Sequence, residues 1–265
     1  MEQAYKELLK KYNSLLEENR RLKTELALLK GEDGLSMPES ETATELLSST
    51  INKYSSSEEK INLFRSLFKG REDVFARRWY SKTTDKSGYQ PVCENEWNED
   101  FCDKKKFKCS ACPNRKLMTL TDKDIYRHLS GKDSYGRDVV GIYPMLTDET
   151  CLFLCTDFDE ENFKSDVTAF RKTCEEFDIP ISVEISRSGN GAHAWIFFEE
   201  PVSASVARKL GSGILTKTME KSNLSFKSYD RFFPNQDTMP KGGFGNLVAL
   251  PLQGKARKKR EQFIC

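Results

Sequence analysis

The residues best suited to chemistry lie near the middle of the chain. Asp157 and Asp159 close an apolar stretch, Cys151-Leu-Phe-Leu-Cys-Thr-Asp-Phe-Asp159, whose composition suits a β-strand. Side chains alternate across a strand, so the two carboxylates share one face while Thr156 and Phe158 share the other. Two strand rises set their Cα atoms about 6.7 Å apart. From there both can reach a pair of divalent cations roughly 3.5–4 Å apart, an arrangement that serves the making or breaking of phosphodiester bonds. Two solvated acids at a strand end would look the same, so the pair needs support from other residues.

Ser186-Arg-Ser-Gly-Asn-Gly-Ala-His193 supplies some of it. Glycines between two strands admit positive φ and turn backbone N–H groups outward. With the Ser188 hydroxyl and the His193 imidazole they make a cradle for phosphate oxygens, although a plain hairpin turn with an incidental histidine fits the same letters. The other histidine, His128, falls in the helix-like Asp124-Ile-Tyr-Arg-His-Leu129 and reads as structural. Gly189-x-Gly191-x-x-Ala194 also fits a relaxed dinucleotide fingerprint, but that motif requires a helix next, and Trp195-Ile-Phe-Phe198 reads as a strand. A third acid stands at Asp230, with Asp237 as its rival. Further on, Lys255, Arg257, Lys258, Lys259 and Arg260 against Glu261 give a local +4 that suits a triphosphate or a nucleic-acid backbone, or a solvated tail.

A second constellation is Cys93-x8-Cys102-x6-Cys109-x2-Cys112, four thiols within 20 residues and enough for a closed tetrahedral Zn²⁺ site. Lys104, Lys105, Lys106, Lys108, Arg115 and Lys116 against Asp103 leave +5 around it, a basic knuckle suited to gripping nucleic acid. Cys151, Cys155, Cys174 and Cys265 are scattered and read as core or incidental thiols.

The elements that must position these groups follow from the hydrophobic period. After Gly141 it alternates between about two and about 3.6. Residues 151–157 read as a strand; Val167, Phe170, Cys174 and Phe177 as one helical face; Ile181, Val183 and Ile185 as a second strand. His193 to Phe198 follows as a third, Val206, Leu210, Ile214 and Met219 as a second helix, and Asn246 to Leu250 as the last strand. The resulting β-α-β-β-α-β order is the split βαβ arrangement of an α+β, RNA-recognition-like fold. Upstream, Ser56-x-x-Glu59 is a capping-box pattern ahead of Ile61, Leu63, Phe64, Leu67 and Phe68, predicting a packed helix from near Ser57 to near Gly70.

The N-terminal segment has another character. Tyr5, Tyr12, Asn19 and Leu26 alternate with Leu8, Leu15, Leu22 and Leu29 in a heptad seam, with Asn19 at a core position. A buried amide there favours a parallel two-stranded coil over residues 1–30, hence a homodimer, and Glu18 and Lys23 make a favourable interhelical pair. Leu9 and Leu16 widen the stripe, which would also let the helix pack on its own domain. Residues 31–54, acidic and rich in Ser and Thr, read as a linker, and residues 55–265 as the folded domain with the knuckle, 93–112, inserted.

Composition bounds the whole. In 265 residues, 42 Lys plus Arg against 41 Asp plus Glu leave +1; 31% charged and 37% hydrophobic residues suit neither full disorder nor a membrane protein. No apolar run reaches the roughly 18 residues of a membrane span, and the first residues lack an apolar signal core. A cytoplasmic location is therefore expected, in which eight cysteines serve as metal ligands or core rather than as disulfides.

Asp157-Phe-Asp159, Ser188-Gly-Asn-Gly-Ala-His193 and Asp230 together resemble the three motifs of the archaeo-eukaryotic primase superfamily, and the chain resembles more closely the primase domain of TOTE conflict systems. The segment Lys60 to Trp79, the cysteine cluster with Trp97, Val140-Gly-Ile-Tyr-Pro-Met-Leu146 and Gly245-Asn-Leu-Val-Ala-Leu-Pro-Leu-Gln253 carry that likeness, over roughly residues 55 to 265. The resemblance implies a DNA primase or primase-polymerase that joins nucleoside triphosphates on a single-stranded DNA template. It implies Asp157, Asp159 and Asp230 as ligands of two Mg²⁺ or Mn²⁺ ions, and Ser188 and His193 as triphosphate contacts, with Lys255 and Arg257 added for phosphate neutralisation. Such domains work beside a helicase or nuclease. This chain has no GxxxxGK[ST] loop, so that function falls to a partner or to another part of a longer protein. Two other readings compete: a two-metal nuclease, which would use the same acids, and a dimeric zinc-containing nucleic-acid-binding module without catalysis. The second finds some support in Lys241-Gly-Gly-Phe-Gly-Asn-Leu-Val248, a basic-Gly-aromatic-Gly pattern.

Overall fold

A computed structural model describes residue 21 and residues 51–258 apart from 108, 160, 223–226 and 240. The coiled coil expected over 1–30 lies outside the described residues, as do most of the expected linker and the basic residues Lys259 and Arg260. The chain divides into a first unit, Met1–Lys60, and a second, Ile61–Cys265.

Helix α1 spans Ser57–Leu67 and opens with the capping box that the sequence predicts. The Ser56 N–H donates to the Glu59 carboxylate at 2.6 Å, and the Glu59 N–H donates to Ser56 Oγ at 3.1 Å. Two orphan donors at the helix start are thus satisfied reciprocally.

The second unit holds two four-stranded antiparallel sheets. The first has β1 (Ala76–Tyr80), β2 (Ser87–Pro91), β3 (Val140–Ile142) and a two-residue β8 (Val248–Ala249) in the order β2-β1-β3-β8, with helix α2 (Asp122–Ser130) inserted before β3. The second has β4 (Thr150–Asp159), β5 (Ser182–Ile185), β6 (Gly191–Ser203) and β7 (Tyr229–Phe233) in the order β5-β6-β4-β7. Helices α3 (Phe163–Glu176) and α4 (Ala204–Ser222) make its crossovers, and a short α5 (Gly254–Lys258) follows β8.

Strand β4 is buried along nearly its whole length because both faces of its sheet are covered. Leu154 and Phe158 point toward α3 and α4, where they join Val167, Phe170, Ala207 and Ile214. Phe153 and Cys155 point the other way and join Trp195, Phe64, Phe68, Ile125 and Val140. Each large apolar side chain buried this way contributes about 1.5–3 kcal/mol. At Gly211 of α4, a Cβ would stand within 2.7–2.9 Å of Phe232 and Leu154 side-chain atoms, so the helix rests on the sheet only because that position is bare. Cys151, Cys155 and Cys174 are buried as expected, and burial pushes the thiols of Cys151 and Cys174 up to about 12.

The β-α-β-β-α-β order is present, but its last strand is not the expected one. Tyr229–Phe233, not Asn246 to Leu250, pairs with β4, while Val248–Ala249 pairs with β3 in the first sheet. The reason is position. β7 is an edge strand with Asp230 and Arg231 exposed at its centre, so it lacks an apolar signature, whereas Val248 and Leu250 are apolar because they fill the core beneath the first sheet. The first sheet itself has strands too short for the period to reveal.

His128 is structural, as its helix-like context suggests. Its Nδ1 accepts from the Val140 N–H at 3.2 Å and its Nε2 meets the Pro251 carbonyl at 2.8 Å, which fixes a neutral ring with Nε2 protonated. Burial lowers its pKa to about 4.

Candidate active site

The register of the second sheet assembles the acids. Asp157 on β4 faces His193 on β6, and His193 in turn faces Glu184 on β5. On the other side Asp157 pairs with Arg231 and Phe158 with Tyr229. Two consecutive residues of β4 therefore take Arg231 and Tyr229, and Asp230 between them is one residue too many. This bulge re-aims the Asp230 side chain. Carboxylate oxygens of Asp157, Asp159 and Asp230 all lie within 4.8 Å of one another. Asp237, the rival third acid, instead pairs with Arg208.

Three carboxylates this close repel, and two cations offset them. Arg231 donates to Asp230 through Nε at 2.6 Å and through its second terminal nitrogen at 3.2 Å. His193 Nε2 lies 3.4 Å from Asp157 Oδ1, and its Nδ1 lies 3.2 Å from Glu184 Oε2. Burial alone would push the His193 pKa down, but the charges and hydrogen bonds of Glu184 and Asp157 outweigh it and raise the pKa to about 10. The two carboxylates that flank the ring thus favour its protonated form. Glu184 is fully buried and also accepts from the Trp195 indole at 3.0 Å, so the carboxylate behind the imidazole is held from two sides.

Asp157 is 8% exposed, and its Oδ1 is buried without a hydrogen-bond partner, the 3.4 Å approach of His193 notwithstanding. A buried, unpaired carboxylate oxygen beside two further carboxylates is the hard, all-oxygen donor set that Mg²⁺ and Mn²⁺ favour. The residues fit such ions.

The glycine segment forms a tight turn between β5 and β6. The Ser186 N–H donates to the Gly191 carbonyl at 2.9 Å and the Gly189 N–H to the Ser186 carbonyl at 2.9 Å. Ser188 Oγ lies 3.0 Å from Ser186 Oγ and accepts from the Asn190 N–H at 3.3 Å. A Cβ on Gly191 would stand 2.4 Å from Asp159 Oδ1, so the turn closes against the acid only because that residue has no side chain.

Of the two cations placed here by sequence, the structure brings one to a cavity. Lys255 lines a space of about 330 Å³ with Arg78, Tyr80, Tyr135 and Arg187, and no carboxylate is among the lining residues. Arg257 lies outside that lining and donates to the Leu129 carbonyl at 3.1 Å, at the end of α2. Burial and then the neighbouring Arg187 charge lower the Arg78 pKa, as expected when like charges converge without an anion. Arg78, Arg187, Glu184 and Arg231 are absent from the sequence-derived site. Arg187 and Arg231 adjoin its motifs and could have been named; Arg78 lies on the unforeseen first sheet and had no signal.

The four cysteines Cys93, Cys102, Cys109 and Cys112 line one small cavity of about 30 Å³. Cys93 Sγ accepts from the Lys116 N–H at 3.3 Å, and Cys109 opens a 3-10 turn through Ala111. Among the described residues the aspartates form the set of potential ligands that converges within 4.8 Å; the cysteines share a cavity without such convergence.

The comparisons with known proteins place this arrangement in a family. Residues 59–264 match the family described as TOTE conflict system, Archaeo-Eukaryotic Primase domain, and the chain belongs to that family. No curated protein matches it. Among solved structures it is similar to the polymerase domain of Mycobacterium tuberculosis ligase D in complex with DNA, at 11% identity over 79% of this chain and 75% of that one, with a TM-score of 0.41. Among the described residues no helix is long and apolar enough to cross a membrane.

Proposed function

We propose that this chain is a DNA primase or primase-polymerase that transfers nucleotides to a growing strand on a single-stranded DNA template, with Asp157, Asp159 and Asp230 holding two Mg²⁺ or Mn²⁺ ions. The observation that carries this reading is the convergence of three carboxylates around the orphaned Asp157 oxygen. Ions bound there would activate an attacking 3′-hydroxyl and neutralise a triphosphate. The chain's own residues do the rest. The His193 imidazolium, oriented by Glu184, presents a donor and a positive charge beside the acids. The Ser188 hydroxyl offers a further polar contact, while the N–H groups of Ser186, Gly189 and Asn190 are spent on closing the turn, so the N–H cradle expected from the sequence is not open there. Arg78, Arg187 and Lys255 surround an acid-free cavity that suits the charge of a triphosphate and so favours synthesis over hydrolysis.

The cysteine knuckle holds a structural Zn²⁺ in this reading, supported by the four thiols around one cavity and by the amide that donates to Cys93 Sγ. Residues 1–30 supply a parallel homodimer, and a helicase or nuclease acts alongside.

The test is primer synthesis on single-stranded DNA with labelled nucleotides and Mg²⁺ or Mn²⁺, comparing the native chain with Asp157→Ala plus Asp159→Ala. A product ladder that requires nucleoside triphosphates and vanishes in the variant is expected. Triphosphate-independent cutting of the template, equally lost in the variant, would overturn synthesis in favour of a nuclease.

A further inference from the structure

The cysteine knuckle bears a surface that the acids do not use. Three of its aromatic side chains stand out in solvent: Trp97 is 75% exposed, Phe101 49% and Phe107 40%. A structural metal module needs none of them outside. Trp97 moreover holds a backbone φ of 65°, a left-handed conformation that bulky residues rarely adopt, so the chain bends unfavourably at the residue that projects the indole. The Lys104 ammonium lies 3.8 Å from the centre of the Trp97 ring and is itself anchored on Glu96 at 2.7 Å. The Lys106 ammonium stands 5.4 Å from the centre of the Phe107 ring. Two lysines of the run Lys104-Lys-Lys106 thus stand against flat apolar rings on either side of it in sequence, in a stretch that also carries Glu94, Glu96, Glu99 and Asp100.

Exposed rings, each with an ammonium against it, match one chemical class. Unpaired nucleobases stack on aromatic faces, while the phosphates between them seek positive charge. A duplex offers the phosphates but keeps its base faces stacked inside. We propose that Trp97 and Phe107, with Lys104 and Lys106, form a stacking platform for the unpaired bases of a single-stranded nucleic acid. This inference rests on the template-directed reading for the strand's identity, the template ahead of the growing end. Lys104 already sits on one face of the indole, so the opposite face receives the base.

The experiment is binding of a fluorescein-labelled oligothymidylate to the full chain by anisotropy, together with quenching of tryptophan emission. Trp97→Ala should weaken binding about tenfold, the loss of one stacked base, with a much smaller effect on a blunt duplex of the same length. Trp97→Phe should retain binding while the quench disappears, because Trp79 and Trp195 remain as emitters; this variant also covers the case in which Trp97→Ala does not fold. Unchanged affinity in a folded Trp97→Ala chain, an equal loss on the duplex, or a quench that persists in Trp97→Phe would each overturn the platform. The two readings fail separately. A native chain that binds the oligonucleotide but makes no product from nucleoside triphosphates defeats the polymerase reading, whereas binding that survives Trp97→Ala defeats this one.

Discussion

The aspartate triad and the cysteine knuckle are both read from sequence as metal sites, and the fold treats them differently. The aspartates ride on β4 and β7, where ladder hydrogen bonds and a bulge fix each Cα, and their carboxylates converge although they repel. The cysteines ride on turns, one isolated bridge and a 3-10 turn, and their sulfurs share a cavity without closing to ligand distance. Regular secondary structure can bring like charges together at the expense of the rest of the fold. Turns have no such reserve, so if the cysteines hold the proposed Zn²⁺, the ion itself would draw them together and its binding free energy would become folding free energy.

The sharpest way to break this contrast is to remove the triad. Asp157→Ala plus Asp159→Ala should lower nucleotidyl transfer by about three orders of magnitude or more, while the melting midpoint stays or rises because carboxylate repulsion is relieved. A large fall in the midpoint would mean that the acids stabilise the fold. Glu184→Gln tests the support behind the triad. It keeps the volume but weakens the hold on the imidazolium, so nucleotide KM should rise and kcat/KM fall by about tenfold or more, a change that a purely structural residue would not concentrate in KM.

On the knuckle the effect should reverse. Cys109→Ser plus Cys112→Ser should abolish binding of about one Zn²⁺ per chain, measured by metal analysis. It should also lower the melting midpoint by roughly 2–4 °C for every kcal/mol lost. A variant that keeps its zinc would show that the cysteines are not the ligands.

Two smaller effects concern the scaffold that carries both regions. His128 has an ordinary pKa of 6.5 that burial lowers to about 4. The unfolded chain therefore binds the proton more readily between those values, so the contribution is fully present above about 6.5 and drains away as the pH falls toward 4. Urea midpoints across that range should reveal a loss of up to about 3 kcal/mol, flattened in His128→Gln; an unchanged slope in that variant would assign the acid sensitivity elsewhere. Ser56→Ala removes one half of the α1 capping box and should lower the melting midpoint by only about 2–4 °C, read by circular dichroism.

What the sequence revealed follows the same division. Buried elements announce themselves: β4 through β6, α3 and α4 all lie near their expected places because each must present an apolar face at a fixed period. Asp157, Asp159 and His193 were legible because strand alternation and a glycine turn dictate their direction. Asp230 stands in the sequence as an available third acid beside its rival Asp237 but with no strand to place it, since a bulged residue on a polar edge strand breaks the alternation that would do so. In the first sheet β3 and β8 have only three and two residues, and β1, with Arg77 and Arg78 side by side, has no apolar–polar alternation, so neither the sheet nor Arg78 stands out. Lys255 and Arg257 are two residues apart, which on a helix turns them to opposite sides, toward the Ser134 and Leu129 carbonyls respectively, a separation that a charge count does not register.

The edge position of β7 has a dynamic consequence. It has a ladder partner on one side only, so it can detach from β4 by breaking fewer hydrogen bonds than any inner strand of its sheet. Such breathing would carry off Asp230 and Arg231 together while Asp157 and Asp159 stayed in place, dissolving the three-acid set without unfolding the domain. Amide exchange in Tyr229–Phe233 should accordingly be faster than in β4 or β6, and the fraction of time this edge spends closed sets an upper limit on how often all three acids stand ready.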